Sequence, residues 1–307
     1  MGVVLTAGAI AIAVAVGVWS ERRYPQGAAN ASRRALLALL YVLLPPVIFF
    51  NLAKASIDSS HAVGLVLALV AVTLTSLLTY LVATRFLRLP RHQTGAVLCA
   101  VLSVNTGYLG YPLTVALLGR GQLSTAVLYD VLVTGPSLLL GAFAVGAAFG
   151  TKAGDTPRQR IRAFFTRNPP LYPAIAGLLA PASLAPEFLV DLSQALIVAI
   201  LPIGFFAVGV TLAAEADRDR VRFPPPVTGP VAVAVLLKLL LPVGILFGLS
   251  AAFVDVPHAY LTQAAMAAGI NNLVVASEYG LDRRLAAAAI FWTTVIVVSV
   301  GVVVALL

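Results

Sequence analysis

The chain has 307 residues, of which 60% are hydrophobic and only 10% charged, and its formal net charge is +8. Soluble domains carry about 25% charged residues, so this composition excludes an ordinary soluble domain and predicts an integral membrane protein. The single cysteine, Cys99, excludes a disulfide framework within the chain, and three histidines are too few for a His-rich metal site. We expect neither a metal site nor a cofactor.

Ten apolar stretches are candidates to cross a bilayer, for which roughly 20 apolar residues are needed. In chain order they lie near residues 2–19, 33–54, 61–84, 93–119, 124–149, 170–184, 188–213, 228–253, 258–279 and 284–307. The first has no basic segment before it and is followed by Arg22 and Arg23, so we interpret it as a retained span and not as a signal peptide. The sequence therefore predicts an all-α polytopic membrane protein with ten transmembrane helices.

The basic residues are divided unevenly among the connections between these spans. Only Lys54 and Arg120 fall in even-numbered connections and Lys238 falls inside the eighth span, whereas the rest of the 20 lie in odd-numbered connections. Basic loops stay in the cytoplasm, so we predict a cell (inner) membrane protein with both termini outside, and nucleic acid is not an expected partner. The basic stretch TPRQRIRAFF (156–165) is either an interfacial segment on anionic lipid or a solvated loop.

A weak internal duplication divides the ten spans into two halves of five. LLPPVIFF (43–50) in the second span resembles AILPIGFF (199–206) in the seventh, and Asn105 and Asn271 each follow a histidine at the same spacing. Because five is an odd number, the second half must enter the membrane from the opposite side. Inverted repeats with interrupted helices are typical of secondary transporters, and the interruptions point to the binding site.

Two stretches interrupt the apolar pattern at membrane depth: SVNTGYLGYPL (103–113) in the fourth span and GINNL (269–273) in the ninth. A helix break in lipid leaves backbone groups unpaired at several kcal/mol each, so it must be buried in protein or line a polar cavity. The glycines would let the backbone leave helical geometry, and Pro112 would begin a new half-helix, with a counterpart just after Asn272. Because helix N-termini attract anions, we predict one midplane anion site between them.

Two sets of candidate site residues follow. The candidates for substrate contact lie at the two breaks and are Asn105, Thr106, Gly107, Tyr108, Gly110, Pro112, Asn271 and Asn272. The candidates for ion or proton coupling lie inside the fifth, eighth and tenth spans and are Asp130, Lys238 and Thr294. Intramembrane ionisable residues are costly and by default indicate function, although packing and interfacial roles are the alternatives. The partner of Lys238 would be either Asp130 or the C-terminus of a half-helix.

The stretch NTGYLGYPLTVALLG (105–119) resembles the fourth-span motif of the auxin efflux carrier family, in which an Asn, a Gly-hydrophobic-Gly and a Pro precede an apolar run. Three further stretches agree with that family: RNPPLYPAIAGLL (167–179), LLKLLLPVG (236–244) and NNLVVASEYGLD (271–282). The resemblance covers nearly the whole chain and is to short prokaryotic members. This chain has alanines where the family usually has a proline just before the ninth-span asparagine.

The resemblance implies a fold related to the bile acid sodium symporters, with two inverted five-helix repeats and broken, crossing helices 4 and 9. Residues 1–57 and 151–222 would form a scaffold and a homodimer surface, and residues 58–150 and 223–307 a moving transport domain. Family members carry small organic anions, including indole auxins and dicarboxylates. The resemblance therefore implies an elevator-type secondary carrier in the lipid bilayer and leaves coupling to H⁺ or Na⁺ open.

Two other functions stay open at this point. A sodium-coupled symporter of the bile acid type would need Na⁺ for uptake, and a non-transporting membrane receptor or structural protein would give no solute flux in liposomes. An intramembrane enzyme would need a catalytic constellation at membrane depth. The sequence has no pair of carboxylates within a span, no histidine deep in one and no H-E-x-x-H motif, so we expect no enzymatic activity.

Overall fold

The computed structural model describes residues 2–54, 59–219 and 224–306, and these residues form an all-helical protein. Their α-helices are, in chain order, α1 (Gly2–Arg23), α2 (Pro25–Ala38), α3 (Leu44–Lys54), α4 (Ser59–Leu81), α5 (Arg91–Leu102), α6 (Tyr111–Leu118), α7 (Leu123–Tyr129), α8 (Phe143–Phe149), α9 (Pro157–Thr166), α10 (Leu171–Leu179), α11 (Glu187–Asp219), α12 (Gly229–Phe253), α13 (His258–Ala264), α14 (Asn271–Tyr279) and α15 (Arg283–Leu306). Short π-helical and 3-10 segments connect several of them, and no strand is named within the described ranges. The predicted all-α class is confirmed.

Some of the predicted spans are directly recognisable from helix length. The segments that are long and apolar enough to cross a membrane, among the residues described, are Pro25–Phe50, Ala62–Phe86, Thr125–Phe149, Gly229–Phe253 and Arg283–Val304. They overlap the second, third, fifth, eighth and tenth predicted spans, and a shorter apolar stretch, Pro202–Ala214, lies in the seventh. The fourth and ninth predicted spans are divided into shorter helices. Helix length therefore supports a multi-pass membrane protein, while the ten-span inverted repeat stays a prediction.

The chain divides into two compact units, and all candidate site residues belong to one of them. Unit 1 comprises Met1–Ala7, Ile57–Lys152 and Val227–Leu307, and unit 2 comprises Gly8–Ser56 and Ala153–Pro226. Every residue predicted above for substrate contact or coupling lies in unit 1. The scaffold and transport roles expected for the different parts of the chain stay predictions.

Within unit 2, α1 and α11 approach each other at backbone distance. A Cβ on Gly17 would lie 2.3 Å from the carbonyl oxygen of Phe206, and one on Gly209 would lie 2.3 Å from the carbonyl oxygen of Val14. Lipid is as apolar as the side chains, so helices in a membrane gain from such close packing, which small residues permit. These two glycines therefore fix the contact between α1 and α11.

Within unit 1, the helices next to the predicted breaks are buried. Nine consecutive residues of α5, Thr94–Leu102, are buried, and so are residues 272–276 of α14. A helix that is buried on all sides lies inside the protein. The ends of α5 and α14 that face the breaks are therefore enclosed by protein, which is the setting that a helix break at membrane depth requires.

The other end of α14 is held by the chain that follows α8. Gly280 ends α14 with φ 75°, a left-handed conformation that favours glycine. The backbone N–H of Lys152 donates to the carbonyl of Tyr279 at 2.9 Å, and its ammonium donates to the carbonyl of Ser277 at 2.7 Å. These bonds occupy carbonyls that a helix C-terminus leaves unpaired and so fix the position of α14.

Candidate functional site at the paired helix breaks

The fourth predicted span is interrupted immediately after α5. Ser103 is extended, with φ −96° and ψ 102°, and helical backbone resumes as a π-helical segment, Thr106–Gly110, that continues into α6. The interruption predicted within residues 103–113 is therefore present. The sequence predicted a new half-helix that begins near Pro112. In the structure the new helical segment begins earlier, at Thr106.

The glycines of this stretch have a different role from the one predicted. Neither Gly107 nor Gly110 has a positive φ, and Gly110 is right-handed helical, with φ −65° and ψ −44°. The prediction that they let the backbone leave helical geometry is therefore wrong. The wide π-type turn precedes Pro112, which has no N–H and whose ring would collide with the carbonyl four residues earlier in a regular α-helix.

The ninth predicted span is interrupted between Ala264, where α13 ends, and Asn271, where α14 begins. This break forms although no proline stands there. The N–H of Ala268 leaves the helical pattern and donates to the Thr293 hydroxyl oxygen of α15 at 3.1 Å. A side chain from a neighbouring helix thus satisfies a backbone group that the break would otherwise leave unpaired.

The two breaks pair with each other. Val104 and Ala268 form an isolated antiparallel β-bridge. The flanking hydrogen bonds are from Asn105 N–H to Ala267 O (2.9 Å) and from Gly269 N–H to Ser103 O (2.6 Å). A Cβ on Gly269 would lie 2.9 Å from the carbonyl oxygen of Val104, so glycine is needed where the two backbones meet. The prediction that the interrupted stretches of spans 4 and 9 come together is confirmed.

Beside this pairing lie two buried asparagines whose side-chain amides have no hydrogen-bond partner among the described residues. Asn105 is 2% exposed and Asn272 is 0% exposed. Neither Nδ2 nor Oδ1 of either side chain has a partner among the residues that the structure describes. A buried polar group left unsatisfied costs about 1–3 kcal/mol, and such groups in native proteins usually have a functional reason or bind water or an ion. The four unsatisfied amide atoms at the paired helix breaks therefore make this region the candidate site.

The remaining predicted substrate residues lie around the same breaks. Thr106 is buried, Gly107 is half-buried, and Asn271, the first residue of α14, is half-buried. The side chains of Tyr108 and Pro112 lie outside the part of the structure that is described, so their predicted contacts stay predictions.

A buried glutamine that was not among the predicted residues contacts the segment after the first break. Gln263 of α13 is 0% exposed, and its Nε2 donates to the Thr114 hydroxyl of α6 at 3.2 Å. A Cβ on Gly110 would lie 2.0 Å from the Oε1 of Gln263. Gly110 therefore provides space for Gln263, which links α13 to α6. A polar side chain inside the ninth predicted span was the signal that could have identified it.

The carboxylate of Asp130 bonds the segment that follows the first break. Its Oδ1 accepts a hydrogen bond from the Thr106 hydroxyl and its Oδ2 accepts one from the Tyr111 hydroxyl, both at 2.5 Å. Two sets of residues predicted separately, for substrate contact and for coupling, thus meet at Thr106 and Asp130.

Lys238 and Thr294, the other predicted coupling residues, are also buried. The Lys238 ammonium, on a side chain that is 0% exposed, donates to the carbonyl of Ala264 at 3.4 Å. Ala264 ends α13, where the helix dipole carries partial negative charge. Of the two partners predicted for Lys238, the one that it contacts in the structure is the C-terminus of a half-helix, α13. Thr294 is 3% exposed, and its hydroxyl has no partner within the described residues, whereas the adjacent Thr293 holds the second break.

The described residues contain no group of three or more His, Cys, Asp or Glu side chains that could hold a metal ion. The candidate site is therefore built from amides, hydroxyls, one carboxylate and helix termini.

Comparison with known proteins places the chain among transporters. A family model described as "Membrane transport protein" matches residues 9–143 and 163–304. An uncharacterized transporter of Methanocaldococcus jannaschii is 25% identical over 269 residues, which cover 83% of this chain and 83% of that protein. An uncharacterized transporter of Methanothermobacter thermautotrophicus is 27% identical over 265 residues, 84% of this chain and 83% of that protein. The matched ranges of the family model include both helix breaks.

Proposed function

The chain belongs to the family of membrane transport proteins, and we propose that it is a secondary carrier that moves a small organic anion across the membrane. The membership predicted from the fourth-span motif, in the auxin efflux carrier family, is confirmed by this match. The substrate class rests on the candidate site. The observation that carries it is the pair of buried, unsatisfied amides at Asn105 and Asn272.

An organic anion suits these groups. The amide nitrogens of Asn105 and Asn272 can donate to a carboxylate, and hydrogen bonds to charged groups contribute about 1.5–3 kcal/mol each. The amide oxygens can accept from an N–H or O–H of the same substrate or from water. Residues 103–113 and 265–273 contain no Lys or Arg. Neutral donors would therefore hold the carboxylate, as in an indole auxin or a mono- or dicarboxylate.

The backbone adds to this preference for negative charge. One helical segment begins at Thr106, directly after Asn105, and α14 begins at Asn271. A helix N-terminus stabilises an anion by about 0.3–1 kcal/mol when exposed and up to about 2 kcal/mol when partly buried. Two such termini beside the unsatisfied amides would increase the affinity for a carboxylate over an uncharged ester.

The carrier would work by alternating access of elevator type, with ten spans in two inverted repeats. Unit 1 would be the moving transport domain and unit 2 the scaffold through which a homodimer forms. Two observations support this assignment: all candidate residues lie in unit 1, and the two breaks pair as corresponding elements of two repeats would.

Coupling would occur at Asp130. Its carboxylate bonds Thr106, so a substrate carboxylate near Thr106 would meet a second negative charge, and like charges repel strongly where little water is present. Binding of H⁺ or Na⁺ at Asp130 would remove that repulsion and favour anion binding. By linkage, binding of the anion would in turn raise the affinity of Asp130 for H⁺ or Na⁺. Lys238 would neutralise the C-terminal end of α13, and Thr294 would add an oxygen ligand or donor.

Asn105→Ala tests the site. Loss of one hydrogen bond to a charged group should weaken substrate affinity about tenfold to a hundredfold, whereas expression and a monodisperse gel-filtration profile should be retained. The affinity is measured by thermal shift against a panel of carboxylic acids, and transport is measured in proteoliposomes. Asn30→Ala, an exposed asparagine of α2 in unit 2, is the matched control and should behave like the parent.

The methyl ester of any acid that binds should bind much more weakly than the acid. Normal transport by Asn105→Ala, or equal affinity for acid and ester, would place the anion site elsewhere and reduce the breaks to packing features.

A further inference from the structure

Helix α9, which begins between the two matched ranges of the family model and ends inside the second, carries an exposed amphipathic face. Arg158, Ile161, Arg162 and Phe165 of α9 occupy positions i, i+3, i+4 and i+7 and therefore share one side of the helix. All four are exposed, Ile161 by 62% and Phe165 by 49%. We call them the basic face of α9. The first three lie outside the residues that the family model matches, and Phe165 lies just inside the second matched range.

Local contacts define this helix and the direction of its basic face. A ten-residue helix is marginal by itself, but Thr156 and Gln159 form a capping box at its N-terminus. At its other end the Tyr172 hydroxyl donates to the carbonyl of Phe165 at 3.0 Å and so joins α9 to the start of α10. The Arg160 Nε, on another side of the helix, donates to the carbonyl of Gly154 at 3.1 Å.

The basic face combines two features that a membrane surface satisfies together. The guanidinium groups of Arg158 and Arg162 have no partner among the described residues, and Ile161 and Phe165 beside them are exposed apolar side chains. In water the apolar pair would stay hydrated and the arginines would stay unpaired. At the boundary of an anionic leaflet, apolar side chains enter about 5–10 Å, while arginine side chains extend to the phosphate groups.

We propose that the basic face of α9 lies in the headgroup layer of the cytoplasmic leaflet and binds anionic phospholipids. The predicted topology places this connection on the cytoplasmic side, where anionic lipids attract basic segments. Tyr172, 55% exposed at the start of the apolar helix α10, continues the face with an aromatic residue of the kind enriched at membrane interfaces. The proposal is independent of the substrate and of the transport mechanism.

Tryptophan quenching by brominated lipids tests the proposal directly. Phe165→Trp is introduced after the two native tryptophans are replaced (Trp19→Phe and Trp292→Phe), and the protein is reconstituted in mixtures of phosphatidylcholine and phosphatidylglycerol, one of which is brominated. The ratio of quenching measures which lipid surrounds position 165. We expect a preference for phosphatidylglycerol of about fivefold for each arginine near the surface, and the double variant Arg158→Gln/Arg162→Gln should bring the ratio close to one.

Two controls separate local binding from net charge and from misfolding. Arg33→Gln/Arg34→Gln removes the same charge from exposed positions of α2 and should keep the preference, as should the charge-retaining variant Arg158→Lys/Arg162→Lys. Equal quenching by the two lipids in the parent, or no quenching by either, would overturn the proposal. So would an equal loss of preference in the α2 variant.

Discussion

Gly110→Ala tests the contact by which α13 reaches the segment after the first helix break. A Cβ at this position would lie 2.0 Å from the Oε1 of Gln263 and 2.8 Å from its side-chain amide carbon. Such distances cannot persist, so either Gln263 or the backbone of the π-helical segment must move. Gln263 has little freedom, because it is fully buried and its Nε2 bonds Thr114.

The cost can be estimated from these contacts. Overpacking a core typically costs about 1–3 kcal/mol, and leaving the Thr114 or Gln263 side chain unsatisfied costs about 1–3 kcal/mol more. We expect a destabilisation of about 2–6 kcal/mol. At roughly 2–4 °C per kcal/mol for a chain of this order of size, the apparent Tm in detergent should fall by roughly 4–24 °C. Transport should fall as well, since the displaced segment carries Thr106.

A double-mutant cycle isolates the contact. Gln263→Ala should be destabilising by itself, but it removes the group that Gly110→Ala displaces. The double variant should therefore be close to Gln263→Ala alone, with a coupling energy of at least about 1 kcal/mol. Gly244→Ala in α12, where a Cβ would meet nothing within 4 Å, is the matched control and should leave the Tm unchanged or raise it. Simple addition of the two single effects, or a fully stable Gly110→Ala, would refute the reasoning.

Two further predictions concern coupling and orientation. Asp130→Asn should slow uptake driven by a pH or Na⁺ gradient in proteoliposomes by at least about tenfold, because an amide cannot take up H⁺ and lacks the charge that would attract Na⁺, so ion binding is no longer linked to substrate binding; substrate exchange should be affected less. The exposed Asp191→Asn serves as its control, and unchanged uptake under both gradients would make Asp130 a structural residue. In a Cys99→Ala background, a cysteine in place of Val254 should react with an impermeant maleimide from outside, and one in place of Asp155 only after permeabilisation. The reverse pattern would contradict the predicted topology.

The fold class and the positions of the breaks could be read from the sequence because both depend on local chemistry. A chain with 10% charged residues cannot be an ordinary soluble domain. Similarly, an Asn between apolar runs, followed by Gly and Pro, is incompatible with an undisturbed lipid-facing helix. The second break was predicted from Gly269 and the adjacent asparagines, and it forms without a proline because Thr293 and the first break supply its hydrogen bonds.

The details of the site could not be predicted because they depend on which side chains meet across helices. The helical segment begins at Thr106 because a π-helical turn precedes Pro112. Neither Thr106 nor Pro112 alone specifies a π-helical turn. The space at Gly110 depends on Gln263, which lies far away in the sequence. The bond from Thr106 to Asp130 joins neighbouring segments, and no spacing rule within one helix would identify it.

The bridge between Val104 and Ala268 also has a consequence for biosynthesis. Ser103 and Asn105 obtain their backbone partners from residues that the ribosome adds about 160 positions later. At about 5–20 residues per second this interval lasts roughly 10–30 s, during which the first half of the chain has left the ribosome without the segment that completes its break. Unpaired backbone groups are not stable in hydrocarbon. Until the second half is inserted, the first break must therefore be satisfied by water, by the insertion machinery or by a temporary continuous helix. The pairing of the two breaks is then one of the last features of this protein to form.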